Sequence, residues 1–234
     1  MPPKFFSHVQ KPVRHLALRR MLAGLLAAAT LPVMAADAGN WWFYVTNDRV
    51  ADIQELLNEG ADPNLRTADG QLSAIQAVRE GSWGVFDALT GDARIDLNAE
   101  NSLGETALMY AALEGQEQRV NRLIERGAKV VKLGWTPLHY AAAGGHTRIA
   151  ALLLDQGALP NAPAHDGVTP LMMAMRANSH DAVQLLLDRG ADPEAQTSAG
   201  KSVVDFAAER GHRRLARALS DLIAERRAAR PTGQ

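Results

Sequence analysis

The sequence predicts an all-α solenoid, a row of helix–turn–helix units of one kind stacked side by side. Three observations predict it. Glycines that precede a threonine or its equivalent recur as Gly70, Gly104, Gly134, Gly167 and Gly200, at intervals of 34, 30, 33 and 33 residues. A second series keeps the same frame: Gly60-Ala61-Asp62-Pro63-Asn64, Gly127-Ala128, Gly157-Ala158 and Gly190-Ala191-Asp192-Pro193. Between these marks fall leucine-rich stretches, Leu56-Leu57, Leu123-Ile124, Leu152-Leu153-Leu154 and Leu185-Leu186-Leu187.

Each unit reads the same way from its first mark onward. Pro137 and Pro170 stand where a helix begins, because the first turn has no use for the missing N–H. Small residues such as Ala141 and Ala142 let a short first helix approach its neighbours. Gly81, Gly115, Gly145 and Gly211 end that helix at a tight turn. A second helix then closes the layer with its leucine face, and Gly157 or Gly190 ends it.

Thr136-Pro137-Leu138-His139, Thr169-Pro170-Leu171-Met172 and Thr106-Ala107-Leu108-Met109, recurring near every 33 residues, resemble the T-P-L-H signature of ankyrin repeats. The resemblance covers about residues 41–220. It implies an ankyrin repeat solenoid of about six units, with short hairpin finger loops between them. The first unit, from Trp41 to Asn64, and the last, from Ser202 to about Ser220, depart from the pattern and serve as caps. Trp41, Trp42 and Phe43 are expected to cover the open end.

The first 35 residues read differently. Lys4, Lys11, Arg14, Arg19 and Arg20 precede an apolar run from Met21 to Met34, with no acidic residue. Small residues flank a cut between Ala35 and Ala36, the pattern of a secretory signal peptide. The run is shorter than the roughly 20 residues that span a bilayer, and Pro32 interrupts it. The expectation is a bacterial chain exported to the periplasm, with no stable membrane insertion after cleavage. Arg19-Arg20 matches a twin-arginine signal only in part, so general secretion is favoured over that route.

Without those residues the chain keeps 20 of its 25 Lys and Arg against all 26 acids, a formal charge of −6. No basic face of the kind nucleic acid requires is expected from that balance. With no cysteine anywhere there is no disulfide framework, and stability rests on packing. Charge is uneven along the chain. Residues 206–234 hold seven Arg against three acids, and 36–64 hold six acids against Arg49. The basic stretch 221–234 is expected to be a C-terminal helix and fraying tail, or a basic tail whose arginines touch acidic headgroups.

His139 and His146 invite a metal or catalytic reading. Equivalent positions on stacked helices lie about 8–10 Å apart, too far to share an ion, and the family resemblance gives His139 a hydrogen-bonding role within and between units. The run Ala195 to Ser202 reads A-x4-G-K-S, but no apolar strand precedes it as a phosphate loop requires. No H-E-x-x-H or G-x-S-x-G occurs. The chain is expected to be no enzyme and to need no cofactor and no metal.

The resemblance implies that another protein binds the concave face, formed by finger tips and first helices. Two columns point there: Glu105, Trp135, Val168 and Lys201 just after the marker glycines, and Leu113, Glu114 and Arg176 at the ends of first helices. Between Gly127 and Gly134 the finger is three residues short. The expected result is a notch with Trp135 at its edge and Lys129 and Lys132 beside it. Trp135 is expected either to anchor the partner or to pack on the next finger. The partner is expected to be a periplasmic or secreted protein that the chain, a monomer, modulates or protects. A surface-associated or host-directed binding module is one alternative, and an enzyme with an unrecognised site is the alternative of another class.

Overall fold

A computed structural model describes residues 38–229; the signal segment, the Ala35–Ala36 cut and residues 230–234 lie outside them. The described residues form twelve helices in six pairs. The inner row is α1 (Ala38–Thr46), α3 (Ser73–Glu80), α5 (Ala107–Leu113), α7 (Pro137–Gly144), α9 (Pro170–Arg176) and α11 (Val203–Ala208). The outer row is α2 (Val50–Asn58), α4 (Trp83–Gly91), α6 (Glu117–Glu125), α8 (Thr147–Asp155), α10 (His180–Asp188) and α12 (Arg213–Ala229). Helices of each row pack on the same row's neighbours, as α5 on α7, α7 on α9 and α6 on α8. Single antiparallel bridges, Arg66 with Leu72 and Gln196 with Ser202, mark the hairpin fingers.

The inner helices α5, α7, α9 and α11 start at Thr or Ser caps, and α7 and α9 begin with proline. They are buried almost all round: Leu138, Ala141, Ala142, Leu171, Met172 and Met175 are at 0% exposure and Met173 at 1%. Fully burying a Leu or Met side chain stabilises by about 1.5–3 kcal/mol, so both neighbours of a layer contribute to holding it. Outer helices bury one side, with Ile149, Leu153 and Leu186 turned inward. The inner helices end at left-handed residues, Gly81, Gly115, Gly145 and Gly211, and in the fifth unit at Asn178, whose short amide side chain tolerates that conformation.

At three of the turns the following residue reaches back to the preceding unit. Ser82 Oγ donates to Thr46 O at 3.2 Å, His146 Nε2 to Leu113 O at 2.8 Å and Ser179 Oγ to Gly145 O at 3.4 Å. His146 lies between two glycines. A Cβ on Gly144 would come within 2.4 Å of its ring and 2.6 Å of Leu113 O, and one on Gly115 within 2.6 Å of the ring. At the finger bases an asparagine does similar work. Asn64 accepts from Asp96 N at 2.8 Å, Asn98 from Lys129 N at 2.8 Å and Asn161 from Asp192 N at 2.7 Å. In this row the short third finger puts Val131, which is exposed.

The first end differs from the sequence expectation in one respect. Trp41 is buried, its Nε1 donating to Ser73 Oγ at 2.9 Å, and Trp42 is partly buried, but Phe43 is 55% exposed. On a helix, three consecutive residues cannot all share one face. At the other end α12 runs unbroken to Ala229, held over the fifth finger by Arg227 to Glu194 at 2.7 Å.

His139 binds both ways, as the resemblance implied. Its Nδ1 accepts from Thr136 N at 3.2 Å and lies 2.9 Å from Thr136 Oγ1, so Nε2 carries the proton toward Val168 O at 3.0 Å. Burial pushes its pKa down to about 4, against the hydrogen bond to Val168. The unfolded imidazole takes up a proton near pH 6.5 and the folded one not until about pH 4. Stability is therefore full above this window and falls as pH drops through it, by about 3 kcal/mol in all. Urea unfolding at the two ends of the window should show His139→Gln less stable near neutrality and with a shallower acid fall. An unchanged acid slope in the variant would assign the fall to other groups.

Candidate binding surface

On the concave side, the fourth, fifth and sixth units enclose a groove of about 550 Å³. Trp135, Val168, Met173 and Phe206 supply its apolar lining, and Arg176, Lys201, Arg210, Asp166 and Glu209 its charges. The floor is one column of the repeat. Met173 and Phe206 stand four residues after the caps Thr169 and Ser202, the place of Tyr110 and Tyr140 in earlier units. Lys201 Nζ donates to Glu209 and sits 4.0 Å from the centre of the Phe206 ring, a cation–π contact. Lys201 thus belongs to the finger and groove rather than to a phosphate loop. Arg176 is part-buried; desolvation and then the nearby Arg210 pull its pKa down, while Glu209 pulls it up.

Trp135, Val168, Arg176 and Lys201, read separately from the sequence, are therefore brought together. The other expected contact residues are not. Glu105 is 1% exposed and faces inward. It accepts from Tyr110 Oη at 2.7 Å, Tyr140 Oη at 2.5 Å and Asn101 Nδ2 at 2.8 Å. Asn101 in turn donates to Gln71 Oε1 at 3.0 Å. Burial and the adjacent carboxylate hold both tyrosines well above the usual phenol range. A carboxylate this deep persists only because donors converge on it, and the column of large inner-helix residues puts two tyrosines in reach. Leu113 is 4% exposed and lies in the core, offering only its carbonyl to His146. Glu114 is exposed at the end of α5, away from the groove.

The expected notch is filled. Lys132, 19% exposed, spans the gap left by the short finger, donating to Gly104 O at 2.7 Å and pairing with Glu100 at 3.2 Å. On the other side the His165 ring lies against Gly134, where a Cβ would meet it at 2.8 Å. Lys129 remains exposed. Trp135 is 8% exposed, packed edge-to-face against His139 at 5.2 Å and Tyr140 at 6.3 Å. These ring contacts are with α7 of its own unit, and Trp135 also lends an edge to the groove.

Sequence reading missed Met173 and Phe206 as floor, and Asp166 as wall. The signal was available: four residues past each cap stands a large side chain, Tyr110, Tyr140, Met173 and Phe206.

A family model described as ankyrin repeats in three copies matches four overlapping stretches, residues 42–133, 74–164, 120–197 and 159–228. The chain belongs to the ankyrin repeat family. Similar ankyrin-bearing stretches occur in the E3 ubiquitin-protein ligase Ufd4 of Drosophila melanogaster, 42% identical over 33% of this chain and 3% of that protein. Protein fem-1 homolog A-like of Mus musculus is 31% identical over 52% of this chain and 19% of its own length. Neurogenic locus notch homolog protein 1 of Homo sapiens is 33% identical over 52% and 5%. The chain thus spans a fifth or less of each of these relatives. Ankyrin repeats are a protein-binding fold, typically non-catalytic. Among the described residues no helix is long and apolar enough to cross a membrane.

Two substitutions separate packing from binding here. Glu105→Leu leaves two buried hydroxyls and an amide without their acceptor and should cost about 3 kcal/mol in urea unfolding, with Glu105→Gln costing less. Trp135→Ala should cost a similar amount, about 3 kcal/mol, by opening a cavity under the groove. A variant as stable as the parent would show that Trp135 is dispensable to the stack.

Proposed function

We propose that this is an exported ankyrin repeat protein of a bacterial periplasm, non-enzymatic, that binds another exported protein and modulates or protects it. The observation that carries the binding site is the groove itself. Four residues taken from two separate columns of the sequence meet around one apolar floor of a size that accepts side chains of a partner. The basic-then-apolar leader supports export, and cleavage would leave Ala36 as the first residue.

The test is capture from the exported-protein fraction of the source organism, using the chain beside its Ala199→Trp form. Ala199 is exposed and lines the groove, so an indole there blocks the groove without disturbing the core. One protein retained by the parent and lost by the variant is the expected result. A partner held equally by both places the interface elsewhere. Terminal sequencing of the exported chain should begin at Ala36; a retained leader would overturn the cleavage.

A further inference from the structure

A second concavity of about 530 Å³ lies at the turn edge of the fifth and sixth units, lined by Asn178, His180, Gly211, His212, Arg213 and Arg214. The two cavities draw on neighbouring positions of the same two stretches of chain. Arg176 lines the groove and Asn178, two residues on, lines the edge; Arg210 lines the groove and Gly211, the next residue, lines the edge.

Together the two linings carry Arg176, Lys201, Arg210, Arg213 and Arg214 against Asp166 and Glu209. No acidic residue lines the edge cavity. The groove holds Glu209, already paired with Lys201, and Asp166 on the far finger. Asp181 follows His180 and is exposed, outside the lining. Among the described residues Arg213 and Arg214 take part in none of the ion pairs. Composition does not force this, because the chain carries one more acid than Lys plus Arg. Cations gathered on a surface repel one another and gain most from an oppositely charged partner.

We infer that the segment of the partner seated in the groove is acidic, sets one large apolar side chain on the Met173–Phe206 floor, and runs out past Arg210 so that its carboxylates reach Arg213 and Arg214. This rests on the protein-binding reading above and names the chemistry of what is bound. Two stacked units span roughly 20 Å, which about six residues of extended chain cover. Guanidinium groups suit carboxylates by forked hydrogen bonding, and the apolar floor supplies what charge alone does not, a fixed register.

Selection of displayed random peptides of about ten residues against the purified protein, expressed from the full sequence, tests this. The expected winners are rich in Asp and Glu around one aromatic or aliphatic residue. They should lose about tenfold or more in affinity for the Arg210→Glu/Arg214→Glu form and weaken as salt is raised. Both arginines are exposed, so unfolding curves should match the parent. Winners of neutral or basic composition, blocked by Ala199→Trp but indifferent to the charge reversal, would overturn the acidic segment and leave the groove as a protein site. A charge-dependent attachment to vesicles containing phosphatidylglycerol, with no acidic peptide selected, would also overturn it and assign the cations to a lipid surface. No selected peptide, together with no captured protein, would bring down the protein-binding reading itself.

Discussion

A layer of two short helices has no interior of its own, and everything else in this molecule follows from that. α11 has six residues and α5 and α9 have seven, well below the dozen or so that a free helix needs to persist in water. Such helices exist here because a neighbouring layer covers each face. Polar groups trapped between layers must then be satisfied across the boundary. Ser82, His146, Ser179 and the finger asparagines make those bonds from one unit to the next. Stability is accordingly a sum of nearest-neighbour terms, and His139, buried and bonded to Val168 of the following unit, is one of them.

The third finger shows how local the remedy is when the pattern breaks. Where other fingers carry the asparagine that ties them to the next unit it has Val131, which offers no such bond. Lys132 ties it backward to Gly104, His165 closes over Gly134, and beneath it Glu105 gathers Tyr110 and Tyr140 into one network. Among the described residues no buried side-chain nitrogen or oxygen is left without a partner. What the deletion leaves on the outside is apolar, with Leu133 92% and Leu103 57% exposed at neighbouring finger tips.

The repeat frame, its caps, the prolines at helix starts and the glycines at turns were all legible, because each follows from a local backbone rule that one unit obeys alone. The facing of Glu105 was not. Its position after a marker glycine is shared with Trp135, Val168 and Lys201, and only the tyrosines on two adjacent helices decide that it turns inward. Phe43 is a similar case: its neighbours Trp41 and Trp42 suggested a common role, but helical geometry divides them between core and solvent. Side-chain direction at repeat-equivalent positions depends on what the adjoining units carry, which a periodicity does not encode. The nearness of Arg176 to Arg210 was equally hidden, since the two come together only when two units are stacked.

The two glycines around His146 have a consequence for how such an array can lengthen. The fourth unit carries both halves of the contact: a histidine that needs bare backbone on either side, with Gly144 before it, and Gly145 at the place that Gly115 occupies in the third unit. A tandem duplicate of this unit would find on its parent the same vacancy that the parent finds on its predecessor. Ser179, small enough to sit against Gly145 at 3.3 Å from an added Cβ, leaves that vacancy partly unused. The array can therefore grow by gene duplication at this point without any further substitution at the turn.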